Sequence, residues 1–223
     1  TIPSVLKGLK SLEYRGYDSA GIALHSKGGT ITEKCAGKVK ELEKILPTSS
    51  NNGSKLGIGH TRWATHGVPN RINAHPHSDS SGKFTLVHNG IIENYDTLKK
   101  HLEENGIKCK SDTDTEVLVQ FISYLYLKEK LNFSDTVRLA LKEVVGAYGI
   151  TVLCEDEPET IIAARFGSPL VLGVGDNEWF IGSDTSPIIE YTRNIVFLDE
   201  GEMVTITPAG FEVININENH IVA

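Results

Sequence analysis

The sequence has 223 residues, enough for one large domain or two small ones. Its hydrophobic content of 39% and charged content of 23% are ordinary for a globular protein, and no apolar run approaches the roughly 20 residues that a membrane helix needs. A net charge of −7 disfavours nucleic-acid binding, which requires a basic face. Three scattered cysteines do not make a disulfide framework, so we expect a cytoplasmic protein with neither a membrane nor a nucleic acid as partner.

The amino-terminal third predicts a helix, a hairpin and a second helix. Apolar residues at helical spacing mark the first helix, which we expect to begin at Ser4 and to end at Gly16. Strand-forming residues at 20–25 and 30–34 flank Gly28-Gly29, which is typical of a hairpin turn. A second amphipathic helix follows the hairpin.

Polar and aromatic residues crowd the stretch from Gly57 to His77. The end of a small apolar strand at 55–59 leads into it, and arginine, tryptophan, threonine and histidine side chains follow between glycine and proline breaks. Such a run fits neither a helix face nor a strand alternation, so we expect a loop held at a strand end. Polar groups held in that way usually bind or react with something.

Helices and strands then separate along the chain. A strand at 83–88 ends in Asn89-Gly90, and three helical patterns occupy the region up to residue 145. From Gly146 onward the pattern changes to short strands separated by turns. This order predicts an α+β sandwich of large antiparallel sheets covered by helices. No stretch is suitable as a linker, so we expect one domain over 1–223.

Charged groups of opposite sign suggest a pocket for an amino acid. Arg62 at a strand end could hold a carboxylate with its planar guanidinium, and Thr65 and the backbone of His66 could add donors. Asp114 at a helix start could hold an ammonium group, although a plain N-cap is an equally good interpretation. Asn89-Gly90 could direct an amide and an N–H at an oxyanion, but from the residues alone a hairpin turn is favoured.

No residue is an evident nucleophile or metal ligand. The thiols of Cys35, Cys109 and Cys154 lack a catalytic context, so we expect structural roles for them. The histidines between residues 60 and 88 have irregular spacings and no cysteine among them, unlike common zinc sites. We therefore expect hydrogen-bonded structural histidines and no metal, with a histidine metal hydrolase as the lesser alternative.

Six blocks of sequence, in the same order as in one known family, cover nearly the whole chain. The blocks are Leu12–Gly21, His60–Gly67, Asn73–His77, Val87–Asn94, Ser111–Glu116 and Gly167–Leu170. Together they resemble the glutaminase domains (type 2 glutamine amidotransferase domains) of glutamine–fructose-6-phosphate aminotransferases, the glucosamine-6-phosphate synthases. A single block would be modest evidence, whereas six in order are highly specific.

The resemblance implies an N-terminal-nucleophile hydrolase fold, a four-layer αββα sandwich of two antiparallel sheets between helical layers. It also implies that a cysteine at the mature amino terminus attacks the side-chain amide of L-glutamine, with its own α-amino group as base. A γ-glutamyl thioester forms and ammonia leaves, without any cofactor.

Site residues follow from the same resemblance. Asn89 and Gly90 match the oxyanion hole of the family. Arg62 matches the clamp for the α-carboxylate, and Asp114 matches the partner of the α-amino group. Trp63, Thr65 and His66 match the loop that closes over glutamine in the family. His75 matches the edge of the pocket, and Arg15 matches a block near the nucleophile.

Two departures from the family pattern bear on activity. The pattern begins with Cys-Gly-Ile and a strand ahead of the first helix, whereas Thr1 aligns with the helix start, so the nucleophile is not among these residues. Its absence leaves a catalytically inactive glutamine-binding module as the alternative. The family also continues into a sugar-phosphate isomerase half that binds fructose 6-phosphate and is not included here, and the resemblance implies that the full-length enzyme is a homodimer.

Overall fold

The computed structural model describes residues 1–26, 28–46, 54–63 and 67–217. The helices within these ranges are Ile2–Leu12 (α1), Val39–Ile45 (α2), Tyr95–Glu104 (α3), Asp114–Glu129 (α4) and Phe133–Lys142 (α5). The strands are Ser19–Ser26 (β1), Gly29–Ala36 (β2), Leu56–Arg62 (β3), His77–Ser78 (β4), Phe84–Ile92 (β5), Gly146–Cys154 (β6), Ile161–Phe166 (β7), Val171–Val174 (β8), Trp179–Gly182 (β9), Ile195–Phe197 (β10), Glu202–Thr207 (β11) and Gly210–Asn215 (β12).

These strands form one large sheet and two small ones. The large sheet has six strands in the order β12-β11-β7-β6-β5-β4, and the small sheets have the orders β2-β1-β3 and β10-β8-β9. All paired strands run antiparallel. None of the helices in the described ranges has both the length and the apolar character of a membrane span.

Successive side chains of a strand point to opposite faces of its sheet, and this alternation explains how the layers of the fold pack. Ile150 and Val152 of β6 join the main core beneath α3, α4 and α5, whereas Leu153 faces the opposite side. On that opposite side, Leu153 packs against Ala23 of the first small sheet, and Ala163 of β7 packs against the second. Because α1 and α2 cover the first small sheet, the order of layers is αββα, and the predicted fold class is confirmed.

The two small sheets leave a slot between them. β3 is the edge strand of one small sheet and β9 is the edge strand of the other, and both line a cavity of about 1230 Å³. Residues of β5 and β6 form its floor, and α1 lies along it. Ligand cavities are commonly about 300–1,000 Å³, so this one has room for more than a single amino acid.

Three local predictions are wrong. Ser4 is not the N-cap of α1, because the helix starts at Ile2 with Thr1 as its N-cap and Pro3 in the first turn. The strand predicted to end near residue 59 continues to Arg62, because β3 pairs with β1 over its whole length. Asn89-Gly90 is not a hairpin turn, because both residues are part of β5 and pair with Gly149 and Tyr148 of β6.

Candidate active site

Arg62 lies at the last position of β3, at the mouth of the slot. It is 4% exposed and pairs across the sheet with Ser19 of β1. Burial lowers the pKa of its guanidinium, and the carboxylates of Asp18 and Asp114 oppose that change. An arginine remains charged even so, which places a fixed positive charge at this end of the cavity.

Asp114, in the lining of the same cavity, supplies the opposite charge. It is 5% exposed and is the first residue of α4. The N-cap is Thr113, whose hydroxyl accepts a hydrogen bond from the N–H of Glu116 at 3.2 Å, so the plain N-cap interpretation of Asp114 is wrong. Oδ2 of Asp114 instead accepts a hydrogen bond from the N–H of Ile92 at 2.9 Å, which ties the carboxylate to β5.

The edge of β5 presents alternate N–H groups toward the cavity. The N–H of His88 donates to Nδ1 of His75 at 3.3 Å, and the N–H of Ile92 donates to Asp114. Strand alternation assigns the N–H of Gly90 to the same edge, between these two. Gly90 has a φ of 141°, and a Cβ there would lie 2.1 Å from the carbonyl oxygen of Ala147, so only glycine fits. Asn89, beside it, lines the cavity.

Three histidines, His60, His75 and His88, form the back wall of the cavity, and a fourth, His77, packs behind them. The rings of His60 and His75 stack with centroids 4.4 Å apart, and His77 meets His75 edge-on at 5.0 Å. Burial lowers the pKa of His60 and of His77 to about 3, and it also lowers the pKa of His75 and of His88. All four are therefore neutral at pH 7.

Metal ligation finds no support in this geometry. Across the described ranges, no three histidine, cysteine, aspartate or glutamate side chains are grouped to hold an ion. His88 instead hydrogen-bonds through Nδ1 to the hydroxyl of Thr115 at 3.1 Å, and His77 hydrogen-bonds through Nε2 to Thr113 at 3.2 Å. His77 and His88 thus have hydrogen bonds within the protein, whereas Nδ1 of the buried His60 has no hydrogen-bond partner among the described residues.

Trp63 and Arg15 lie at the rim of the cavity. Trp63 is 62% exposed and meets the ring of Tyr17 edge-on at 5.9 Å. Arg15 donates to the carbonyl oxygen of Ser183 at 3.3 Å, which links the turn after α1 to the loop after β9. The expected site residues Thr65 and His66 lie outside the described residues.

The three cysteines have the environments of unreactive thiols. Burial raises the pKa of Cys109 and of Cys154 to about 11, and it also raises the pKa of Cys35. A thiol that stays protonated at neutral pH is a poor nucleophile. The candidate site therefore gathers Arg62, Asp114, Asn89 and Gly90 around one cavity, with no thiolate among the described residues.

Sequence reasoning missed Asn73 and Asp112, which join two of the matched blocks. The Asn73 amide donates to Oδ2 of Asp112 at 3.1 Å and to the carbonyl oxygen of Val68 at 3.1 Å, and the N–H of Asp112 donates back to Asn73 at 3.0 Å. Both residues belong to blocks that carry the resemblance. Nothing in the sequence around them indicates that these two residues, 39 positions apart, form a pair.

Comparison with known proteins gives a consistent answer. Residues 48–212 match the family model described as a glutamine amidotransferase domain. The glutamine–fructose-6-phosphate aminotransferases (isomerizing) of Bacteroides thetaiotaomicron and Chlorobaculum tepidum are 53% and 50% identical to the chain. The matches cover 92% and 95% of the chain but 33% and 35% of those proteins, so the chain spans about a third of the length of these relatives.

Solved structures show the same fold. The glutamine phosphoribosylpyrophosphate amidotransferase from B. subtilis superimposes with a TM-score of 0.83 at 26% identity, over 98% of this chain and 47% of that one. A glutamine aminotransferase class-II domain protein from Silicibacter pomeroyi, at 16% identity and a TM-score of 0.59, shares the fold over 90% of this chain and 96% of its own. The chain therefore belongs to the glutamine amidotransferase domain family.

Proposed function

We propose that this chain is the glutamine-hydrolysing part of a glutamine–fructose-6-phosphate aminotransferase. It binds L-glutamine at the mouth of the slot and releases ammonia for the synthesis of glucosamine 6-phosphate. The observation that carries the proposal is that Arg62 and Asp114, two side chains of opposite charge, line one cavity together with Asn89 and Gly90.

Each end of glutamine has a matching group. The guanidinium of Arg62 holds the α-carboxylate, and the carboxylate of Asp114 holds the α-ammonium group. The side-chain amide then extends toward β5, where the amide of Asn89 and the N–H of Gly90 donate to its carbonyl oxygen as that oxygen becomes negative. Trp63 and His75 complete the pocket wall and Arg15 supports the rim, whereas Thr65 and His66 belong to the proposal through the resemblance alone.

The nucleophile in this proposal comes from a cysteine-bearing strand ahead of Thr1, as the resemblance implies. The slot supports that placement, because no strand in the described ranges pairs with the edges of β3 and β9 that line it, and Asn89 lies on its floor. The cysteine thiol adds to the amide carbon, its α-amino group takes the thiol proton and passes it to the leaving nitrogen, and water later cleaves the thioester to glutamate.

The remaining parts of the proposal concern the whole protein. The relatives from Bacteroides thetaiotaomicron and Chlorobaculum tepidum are named as isomerizing aminotransferases, and each is about three times as long as this chain. We propose that an isomerase half follows this domain, binds fructose 6-phosphate and forms a cytoplasmic homodimer. No observation in the described residues favours the inactive binding module over the enzyme.

The experiment that tests the proposal measures L-glutamine binding by calorimetry and hydrolysis by ammonia release. Replacing Arg62 with Ala should weaken glutamine binding roughly 10- to 100-fold, as expected for a charge-assisted contact. In the full-length protein that includes the cysteine, R62A should raise the KM for glutamine and leave ammonia-dependent synthesis intact. The matched control is Arg71→Ala, because Arg71 is exposed and pairs with Glu33. Unchanged glutamine affinity in R62A would reject the assigned pocket.

A further inference from the structure

We propose that Lys34 is a positioning residue for the oxyanion site: it clamps the loop at 72–76, and that loop, through His75, fixes the backbone of β5 next to Asn89 and Gly90. The catalytic consequence rests on the proposed function, whereas the clamp itself does not.

Lys34 directs its ammonium group at a single loop. From β2, its Nζ donates to the carbonyl oxygen of Ala74 at 2.7 Å, of Pro76 at 3.0 Å and of Ile72 at 3.4 Å. An ammonium group has three donors, so these carbonyl groups use its whole capacity. A lysine that binds only backbone carbonyls holds a segment in place without depending on the side chains of that segment.

A glycine lets the loop lie directly on the small sheet. Gly21 of β1 stands opposite Lys34 on one side and opposite His60 on the other. A Cβ at Gly21 would lie 2.1 Å from the carbonyl oxygen of His75 and 2.7 Å from Cβ of Lys34. The loop backbone therefore packs directly on Gly21, between the side-chain stem of Lys34 and the ring of His60.

His75 connects the loop to the large sheet. Its ring stacks on His60, and its Nδ1 accepts the hydrogen bond from the N–H of His88. β4 pairs His77 with Leu86, and the same register continued by two residues would place His75 opposite His88. The His75 imidazole thus accepts the hydrogen bond that a backbone carbonyl of β4 would accept if the strand continued. A shift of the loop would therefore move His88 and, with it, the edge of β5 that carries the oxyanion donors of Asn89 and Gly90.

The charge on Lys34 is sensitive to its surroundings. Burial lowers its pKa to about 8, with Glu116 of α4 favouring the charged form and Arg71 opposing it. His77 also faces it, and the charge on Lys34 contributes to the lowered pKa of that imidazole. Above pH 8, Lys34 loses its charge and one donor, so the clamp should weaken over pH 8–9.

The test uses the chain itself, labelled with ¹⁵N, and follows the amide resonances of His88, Asn89 and Gly90. Lys34→Met keeps the stem and removes the donors, so it should shift these resonances and speed their hydrogen exchange at least tenfold. Lys44→Met is the control, because Lys44 forms an exposed pair with Glu41. Unshifted resonances in a folded K34M protein would overturn the proposal.

A pH titration keeps the proposal testable if K34M does not fold. In the wild-type chain, the Gly90 resonance should titrate with a midpoint near pH 8, and in Lys34→Arg, which keeps its charge, it should not titrate between pH 7 and 9.5. A Gly90 titration that persists unchanged in Lys34→Arg would contradict the clamp, because the guanidinium keeps its charge over this range.

Kinetics separate this inference from the proposed function. In the full-length protein with its cysteine, K34M should lower the kcat for glutamine hydrolysis at least tenfold and leave the KM within about threefold, and K34R should restore most of the kcat. Hydrolysis with an unchanged kcat in K34M would overturn the positioning role alone. Clear NMR effects in a protein that neither binds nor hydrolyses glutamine would overturn the proposed function and leave the clamp intact.

Discussion

Asp114 shows how one side chain can serve both structure and binding. One carboxylate oxygen fixes the backbone of β5 through Ile92, and the charge remains available to a ligand in the cavity. An amide at this position can still accept the hydrogen bond from Ile92 but carries no charge. The two roles can therefore be separated by a substitution that changes a single atom.

Asp114→Asn should weaken L-glutamine binding roughly 10- to 100-fold, because a charge-assisted hydrogen bond becomes a neutral one. The melting temperature should stay within a few degrees of wild type. Calorimetry and thermal unfolding measure the two effects. Asp135→Asn, in the first turn of α5, is the control, and equal glutamine affinities in both variants would show that Asp114 does not hold the ammonium group.

The buried histidines make stability depend on pH. His77 has a pKa of about 3 in the folded protein and an ordinary value near 6.5 when unfolded, so the unfolded state binds more protons between these values. Its contribution to stability is complete above pH 6.5 and is lost as pH falls toward 3. His60 acts in the same direction.

Replacing His77 with Asn should reduce the pH dependence of the unfolding free energy between pH 4 and 6 by up to about 1.4 kcal/mol per pH unit, the value for one proton. Urea unfolding at several pH values measures this slope. A slope in H77N equal to that of wild type would mean that the imidazole is protonated in the folded protein.

At the scale of elements, β5 explains why sequence patterns mislead at this site. Asn-Gly is a strong turn signal, yet pairing with β6 holds Asn89 and Gly90 in a strand. Gly90 has a positive φ within this strand, and the carbonyl oxygen of Ala147 on β6 lies where a Cβ of residue 90 would be. Tertiary pairing here outweighs local preference.

Gly90→Ala should therefore destabilise the protein by more than about 3 kcal/mol, because steric overlap adds to backbone strain. Gly82 also has a positive φ, but nothing lies within 4 Å of a Cβ built there. Gly82→Ala should thus cost only about 1–2 kcal/mol, the cost of the backbone conformation alone. Urea unfolding measures both values, and equal costs would show that the Ala147 carbonyl moves aside.

The sequence predicts most elements, because periodicity and turn residues are local signals. The hairpin of β1 and β2, the three helices before residue 145 (α3, α4 and α5) and the short strands after Gly146 all appear where they were expected. The full length of β3 could not be predicted, because His60 to Arg62 have no strand alternation and are held by β1. For the site, charge and resemblance single out Arg62 and Asp114. The role of Lys34 could not be predicted, because it contacts backbone carbonyls, and every residue has a backbone carbonyl whatever its side chain.

At the scale of the whole molecule, the slot divides one layer of the sandwich into two sheets. Among the described residues, no strand pairs with the slot-facing edges of β3 and β9, and such edges lose the protection that a neighbouring strand gives to N–H groups. β1, by contrast, lies between β2 and β3. Local opening should therefore be easier at the slot than in the middle of the same sheet.

Hydrogen exchange should show this difference. In the chain studied here, amides of β3 that face the slot should exchange at least about tenfold faster than those of β1. In the full-length protein, a strand that fills the slot should remove the difference. Equal protection of β1 and β3 in the isolated chain would mean that another segment covers the edge.

The neutral back wall also determines how the proposed pocket attracts its ligand. Because the four imidazoles carry no charge at pH 7, Arg62 and Asp114 form a dipole and not a net charge. The field of a dipole fades quickly with distance, and at 0.1 M salt it is screened beyond about 10 Å. A zwitterion should therefore enter without long-range steering, and raising the salt from 50 to 500 mM should change the association rate of glutamine less than about twofold, as stopped-flow measurements would show.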